Sequence, residues 1–345
     1  MTDKLTITFK PKQAVKRLLG VLGDRSQDVL TSRFGLGADT KRMTLEAIGK
    51  KYKITRERVR QIENYSLINI RKSKEYAKEK EIFDELREII LNLGSTVGEE
   101  TLLKHLSKDK STQNQIHFLL VVGEDFTREK EDDEFKHRWT VDKELAKKIH
   151  NSLRLLYSSL SDNEILLESD MIEKFLEHIK DVSEKYKNQE IAKRWLSLSK
   201  LIDKNPLGKW GKSKSSNINA KGMRDYAYLV IRRHGSPIHF REVAKLITEL
   251  FNKKAHVATT HNELIKDSRF VLVGRGLYAL SEWGYMSGVV RDVIKAIIEK
   301  HGPMTKDEIV KRVLKERYVK ENTIMVNLQN SKFFKKSKDG KYSLV

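Results

Sequence analysis

Five polar side chains with the hydrogen-bonding groups that read DNA bases share one face of a short predicted helix. At about 100° per residue, Arg56, Glu57, Arg60, Gln61 and Asn64 lie opposite an apolar sector. That sector is formed by Val59, Ile62, Ser66 and Ile70. Arginine pairs with guanine, glutamine with adenine, and glutamate accepts from cytosine. The pattern predicts a face that reads base edges in a major groove, with a solvated charged face as the alternative.

A second helix is needed to position this face. Thr44 to Gly49 has the pattern of a preceding helix, and a three-residue turn separates the two helices. Thr55 occupies the N-cap position of the second helix, and Glu57 suits the positive end of its dipole. The arrangement predicts a helix-turn-helix. The candidate DNA-binding residues are Thr55, Arg56, Glu57, Arg58, Arg60, Gln61 and Asn64.

Residues from about 22 to 73 resemble region 4 of the sigma-70 family of bacterial transcription initiation factors. The resemblance rests on three segments: Val29 to Leu36 with its Arg-Phe-Gly turn, Thr44 to Gly49, and Thr55 to Glu63. It implies recognition of a promoter −35 element in double-stranded DNA. The family's base and backbone contacts fall here on Arg56, Glu57, Arg60 and Gln61. The resemblance also implies docking on the β flap of the RNA polymerase core.

A sigma factor that opens promoters has an aromatic-rich helical region before region 4. Here residues 1–21 contain one aromatic side chain, Phe9, and no later segment supplies such a helix. We therefore expect that this protein does not initiate transcription alone.

Charge is distributed unevenly along the sequence. The formal net charge is +20 and the pI about 9.7, values that favour a polyanionic partner. Residues 1–80 carry 20 Lys and Arg against 9 Asp and Glu, whereas residues 81–142 carry 8 against 15. The acidic run from Glu129 to Glu134 predicts either a contact with a basic protein surface or a solvated hairpin tip.

Several features favour the cytoplasm, with association with the nucleoid. The sequence has no cysteine, so disulfides and thiolate metal sites are excluded. Met1 to Lys4 does not begin a signal peptide, and the apolar run Phe118 to Val122 is too short to cross a membrane. We expect no membrane association, no metal and no cofactor.

An internal repeat occupies the C-terminal third. Arg224-Asp225 and Arg291-Asp292 each open a helical pattern that ends at His-Gly, and each copy closes with a glycine turn and an alternating strand. Three helices followed by a two-stranded ribbon predict a winged helix in each copy. Residues 222–283 also resemble the HARE-type helix-turn-helix family, through positions such as Tyr228 and Tyr278 that belong to a core. Residues 82–142 have the pattern of a third, divergent copy.

The predicted fold class is mainly α, a helix-turn-helix domain followed by tandem winged-helix domains. The predicted domains are 1–80, 81–142, 143–213, 214–285 and 286–345, with the third either helical or a divergent winged helix. Capping boxes are predicted at Thr96-x-x-Glu99 and Thr305-x-x-Glu308. The Lys- and Ser-rich segment Lys212 to Lys221 predicts a mobile linker.

The sequence favours a sequence-specific DNA-binding regulator of transcription that contacts RNA polymerase. One alternative is a polymerase-associated accessory protein with non-specific DNA binding. Another, which rests on the HARE resemblance, is a reader in DNA modification or defence. Catalytic patterns such as a phosphate-binding glycine loop are absent from the sequence, so we do not expect an enzyme.

Overall fold

The computed structural model describes residues 6–179, 182–286 and 288–345. The segment Met1 to Lys4, whose sequence is not that of a signal peptide, lies outside these residues. The protein is mainly α-helical with small sheets, as the sequence predicted. The helices are α1 Pro11–Leu19, α2 Asp24–Phe34, α3 Leu45–Tyr52, α4 Arg56–Arg71, α5 Lys74–Lys78, α6 Lys80–Asn92, α7 Glu99–Leu106, α8 Lys110–Val122, α9 Lys143–Ser159, α10 Glu168–His178, α11 Gln189–Leu196, α12 Met223–His234, α13 Phe240–Phe251, α14 Val257–Lys266, α15 Val290–His301, α16 Lys306–Glu316 and α17 Glu321–Leu328.

The strands are short, between two and five residues each. They are β1 Thr96–Gly98, β2 Thr127–Glu129, β3 Arg138–Thr140, β4 Ile202–Lys204, β5 Trp210–Lys212, β6 Ile238–His239, β7 Phe270–Gly274, β8 Leu277–Leu280, β9 Met304–Thr305, β10 Phe334–Lys336 and β11 Lys341–Leu344.

The chain divides into two compact units. The first comprises residues 1–203 and 210–213, and the second comprises residues 204–209 and 214–345. The five domain boundaries proposed from the sequence stay a prediction, because this coarser division does not test them.

Three segments repeat one topology. The order helix, strand, helix, helix, strand, strand occurs from α6 to β3, from α12 to β8 and from α15 to β11. In each case the last strand lies in the middle of a three-stranded antiparallel sheet: β1-β3-β2, β6-β8-β7 and β9-β11-β10. The repeat detected in the sequence thus corresponds to a repeated arrangement of elements.

The core of the first unit joins the helix-turn-helix segment to residues 81–142. Leu18 of α1, Leu30 of α2 and Ile70 of α4 belong to the same buried cluster as Leu86 and Phe118. Nearly all of α8 from residue 113 to residue 122 is buried. The hydrophobic core of the first unit is therefore continuous across residue 80.

The two predicted capping boxes have different outcomes. Thr305 and Glu308 form the predicted reciprocal box at the start of α16. The box at Thr96 and Glu99 is wrong, because Thr96 lies in β1 and the N-cap of α7 is Gly98, which makes no side-chain cap. The Glu99 carboxylate accepts hydrogen bonds from two other side chains, Arg128 and Trp139.

The acidic tip between β2 and β3 contacts basic side chains of its own chain. Glu131 pairs with Lys200 at 2.8 Å, and Glu134 pairs with Arg154 at 2.6 Å. Asp132 lies 3.5 Å from Arg138. The acidic tip thus pairs with basic side chains of residues 143–213, while Glu131, Asp132 and Asp133 stay exposed.

Residues 143–213 form a helical layer around Trp195 and close with the β4-β5 hairpin. Helix α11 ends at Leu196, and Ile202 enters β4. The expected linker also contains fixed positions: Lys212 ends β5, and Asn217 and Ile218 are buried. The Lys- and Ser-rich composition therefore did not identify a mobile linker here.

Candidate nucleic-acid interface

The helix-turn-helix is held by two threonine caps and a tight turn. Thr44 Oγ1 accepts a hydrogen bond from the Ala47 amide, and Thr55 Oγ1 accepts one from the Arg58 amide, each at 3.1 Å. Lys53 takes a left-handed conformation with φ of 54°, and this conformation reverses the chain between the helices. The predicted N-cap at Thr55 is therefore confirmed, and Glu57 is the second residue of α4.

Gly49 permits a close approach between α3 and the turn. A Cβ atom at this position would lie 2.7 Å from the Ile54 carbonyl oxygen. The Ile54 amide donates to the Gly49 carbonyl oxygen at 2.9 Å. Because both contacts involve backbone atoms, no side-chain rotation relieves the crowding.

We predict that Gly49→Ala lowers the free energy of unfolding by about 1–2 kcal/mol, because overpacking outweighs the better helix propensity of alanine. Urea denaturation of the full chain followed by circular dichroism measures the change. Gly37→Ala is the matched control, since its Cβ would meet only the Thr31 methyl at 3.4 Å, an ordinary contact. Equal effects of the two substitutions would contradict the role given to Gly49.

Helix α4 has a buried side and an exposed side, as its sequence pattern predicted. Val59 packs with Val29 and Ile48 in a small core, and Ile62 is partly buried against it. Farther along, Ile70 enters the large core shared with residues 81–142. Helix α4 is therefore fixed at both ends of its apolar side, and its polar side is turned outward.

All seven candidate DNA-binding residues are exposed. Those in the first two turns form contacts with one another. The Arg60 guanidinium pairs with the Glu57 carboxylate at 2.6 Å, and Arg58 donates to the Gln61 side-chain oxygen at 3.1 Å. The hydrogen bond from Arg60 lowers the pKa of Glu57. Both contacts are exposed, and such pairs contribute little to stability.

The exposed side of α4 extends beyond the predicted residues. Tyr65 and Ile68 are 65% and 45% exposed, and they lie one and two turns beyond Gln61. Their spacing of four and seven residues from Gln61 places them on the same side of the helix. The sequence prediction did not include them because it considered only hydrogen-bonding side chains. They are the apolar side chains that a ligand lying along α4 would meet.

The structure also reveals a contact that fixes the Arg-Phe-Gly turn. Asn114 of α8 donates to the carbonyl oxygens of Gly35 and Thr40, and its side-chain oxygen accepts from Arg42 at 2.9 Å. Asn114 is fully buried. Sequence reasoning missed this residue because its partners lie more than 70 positions away.

Within the described ranges, no cluster of three or more histidine and carboxylate side chains is placed to hold a metal ion. In the same part of the chain, no helix combines the length and the apolar character required to cross a bilayer.

Comparison with known protein families identifies the helix-turn-helix segment. Residues 18–72 match the family model for Sigma-70, region 4. Similar proteins include the RNA polymerase sigma factor SigA of Lactococcus lactis subsp. cremoris, 42% identical over 60 residues, which are 17% of this chain and 16% of that protein. SigA of Clostridium acetobutylicum is 40% identical over 73 residues, 21% of this chain and 19% of that protein.

The RNA polymerase principal sigma factor HrdD of Streptomyces griseus is 31% identical over 70 residues, 20% of this chain and 21% of that protein. The chain thus spans about a fifth or less of the length of these relatives. The matched residues run from the end of α1 to the end of α4, so this part of the protein is similar to region 4 of sigma-70 factors.

Proposed function

We propose that this protein is a sequence-specific DNA-binding regulator of transcription that reads a promoter −35-type element with α4. The observation that carries the proposal is the exposed polar side of α4, which lies within the segment similar to sigma region 4. The N-terminal turns of such a helix enter the major groove. Arg56 and Glu57 occupy the first turn, and Arg60 and Gln61 the second.

The proposed roles follow from the chemistry of each side chain. Arg56 and Arg60 donate to guanine, Gln61 pairs with adenine, and Glu57 accepts from cytosine. Thr55, Arg58 and Asn64 border this face and are assigned to the phosphate backbone or to neighbouring bases. Breaking the exposed Arg60–Glu57 pair costs little, less than a good bidentate base contact contributes.

The partners and location belong to the same proposal. Similarity to sigma factors favours contact with the RNA polymerase core, at its β flap, and a place in the cytoplasm on the nucleoid. Copurification of the full chain with core polymerase tests the contact. An unchanged elution of both components after mixing would oppose it.

For the second unit we propose two domains of the winged-helix type, the first of the HARE type, that add affinity through DNA phosphates. Residues 214–345 carry 26 Lys and Arg against 13 Asp and Glu. Counterion release makes such binding steeply dependent on salt and nearly independent of sequence.

Substitutions on α4 test the reading face. We predict that Arg60→Ala and Gln61→Ala each weaken binding to the preferred duplex by about 1–3 kcal/mol and barely change binding to random duplex. The preferred duplex is obtained by selecting bound sequences from a random pool with the full chain. Arg87→Ala, which removes an exposed arginine of α6, is the control and is expected to leave both affinities unchanged.

The same measurement separates the proposal from its runner-up, an accessory protein with non-specific DNA binding. That alternative is favoured by the positive charge of residues 214–345. If the pool yields no preferred sequence, or if both substitutions weaken the two duplexes equally, the side chains of α4 contact only the backbone and the runner-up is correct.

A further inference from the structure

A cavity of about 360 Å³ lies inside the first unit, between the helix-turn-helix segment and residues 81–142. This volume falls within the range typical of small-ligand sites, about 300–1,000 Å³. Its polar lining on the helix-turn-helix side consists of Arg33, Arg42 and Glu63. On the other side the lining includes His117, Arg128 and Trp139. The cavity is distinct from the exposed face of α4.

The three arginines of the cavity differ in how their charges are balanced. Arg33 lies 3.4 Å from Glu63, and Arg128 pairs with Glu99 at 2.6 Å. Arg42 pairs with no carboxylate among the described residues, and its one hydrogen bond there goes from Nε to the neutral amide of Asn114. The half-buried Arg42 therefore leaves the ends of its guanidinium without an anionic partner.

The charges around Arg42 reinforce this imbalance. Burial is the largest influence and lowers the pKa of Arg42; Glu99 opposes that effect, and the nearby charges of Arg128 and Arg33 lower the pKa further. Arginine nevertheless keeps its proton in proteins. The cavity thus contains the partly desolvated positive charge of Arg42, which a bound anion would stabilise.

His117 supplies a second, independent observation. Only 6% of its surface is exposed, and neither ring nitrogen has a hydrogen-bond partner. Its Nε2 lies 3.6 Å from the Glu99 carboxylate, beyond hydrogen-bonding distance. Burial lowers the pKa of His117, and the Glu99 carboxylate opposes that effect. In its neutral form the ring has one N–H to donate. A buried polar group without a hydrogen-bond partner is costly, and this one lines the cavity.

We propose that the cavity is a binding site for a small organic phosphate, a phosphomonoester attached to an apolar ring, with Arg42 and His117 as its principal contacts. Arginine matches phosphate oxygens through paired N–H groups. Phe34, Phe126 and Trp139 line the same space and provide the apolar walls for the ring.

The position of the site gives its ligand a structural effect. Arg42 and Glu63 come from the helix-turn-helix segment, and Glu63 lies on α4 itself, whereas His117 lies on α8. A bound phosphate contacts both sides of this junction and competes with Glu63 for Arg33. Ligand binding therefore stabilises the first unit and changes the contacts of Glu63 on α4, the helix proposed to contact DNA. The binding site itself does not depend on that proposal.

Isothermal titration of the full chain with phenyl phosphate tests the site, with inorganic phosphate as the comparison probe at constant ionic strength. We expect saturable binding of one phenyl phosphate per chain and weaker binding of inorganic phosphate. Arg42→Gln is expected to weaken binding about tenfold or more, because it removes a charged donor. Arg194→Gln, which alters a half-buried arginine outside the cavity, is expected to leave binding unchanged. Absence of saturable binding, or equal weakening by both variants, overturns the proposal.

Nuclear magnetic resonance of the unaltered chain gives a second readout that does not depend on how the variants fold. The Trp139 indole N–H donates to Glu99 beside the cavity, whereas the Trp195 indole N–H donates to the Gly94 carbonyl oxygen. We expect phenyl phosphate to shift the Trp139 indole resonance, assigned with Trp139→Phe, and to leave that of Trp195 in place. Equal shifts of both resonances contradict the proposal. Displacement of phenyl phosphate by duplex DNA would instead assign the cavity to a backbone phosphate and overturn it.

Discussion

A chain cut after residue 80 is expected to lose cooperative unfolding, whereas a chain cut after residue 213 is expected to keep it in the first unit. The shorter fragment retains α4 but loses α8, whose buried side chains complete the core behind α1, α2 and α4. Leu18, Leu30 and Ile70 would then face water. Small domains are only marginally stable. The stability lost with this packing therefore exceeds the stability that the small core around Val59 provides.

Thermal unfolding followed by circular dichroism distinguishes the two fragments. Phe118→Ala in the full chain is the point-substitution counterpart and is expected to cost about 3–5 kcal/mol, since Phe118 is fully buried and packs edge-on against Phe34. Leu155→Ala, at a side chain 57% exposed, is the control and is expected to change stability little. A sharp transition in fragment 1–80 would show that the shared core is dispensable.

Replacement of Arg138 by leucine is expected to lower the free energy of unfolding of the first unit by about 3 kcal/mol, because it leaves the partly buried Glu129 carboxylate without its cation. The Arg138 side chain is 7% exposed and lies 2.7 Å from Glu129 Oε2, a buried atom with no hydrogen-bond donor of its own. Arg138 also donates to the ring nitrogen Nε2 of His150 at 2.8 Å and lies over the Phe135 ring.

Arg154 provides a matched control for Arg138. Its guanidinium also lies over the Phe135 ring and pairs with an acidic side chain, Glu134, but its side chain is 49% exposed. Exposed pairs contribute little, so Arg154→Leu is expected to cost under about 1 kcal/mol. The double change Arg138→Leu with Glu129→Leu is expected to recover part of the loss, since no buried charge then remains unpaired. Denaturant titration of the full-length variants measures all three, and similar losses for both single variants would refute the buried-pair explanation.

The features that were predicted correctly depend on residues close together in the sequence. The two faces of α4 follow from helical periodicity, and the caps at Thr55 and Thr305 follow from side chains that bond amides three residues away. The glycine turns and alternating strands of the C-terminal repeat are equally local. The roles of the seven α4 residues in reading DNA stay a prediction, because the structure gives their exposure and not their ligand.

The features that the sequence did not reveal depend on distant residues. Glu99 has the spacing of a capping residue, yet Arg128 and Trp139 bind its carboxylate once the sheet brings them together. The charged guanidinium of Arg128 is a stronger partner for the carboxylate than the backbone amide of a cap. The capping-box spacing was therefore present in the sequence, but tertiary contacts of Glu99 prevented the box from forming.

The sequence by itself determined that α4 has a polar face and an apolar face. In a helix, the position of a residue in the sequence fixes the side on which its side chain lies. Only the tertiary structure decided which residues cover the apolar face. It also decided that the acidic tip pairs with Lys200 and Arg154 and that Arg42 and His117 line one cavity. Such contacts join residues tens of positions apart, and they form because burial of a shared hydrophobic core offsets the entropy of closing the intervening chain.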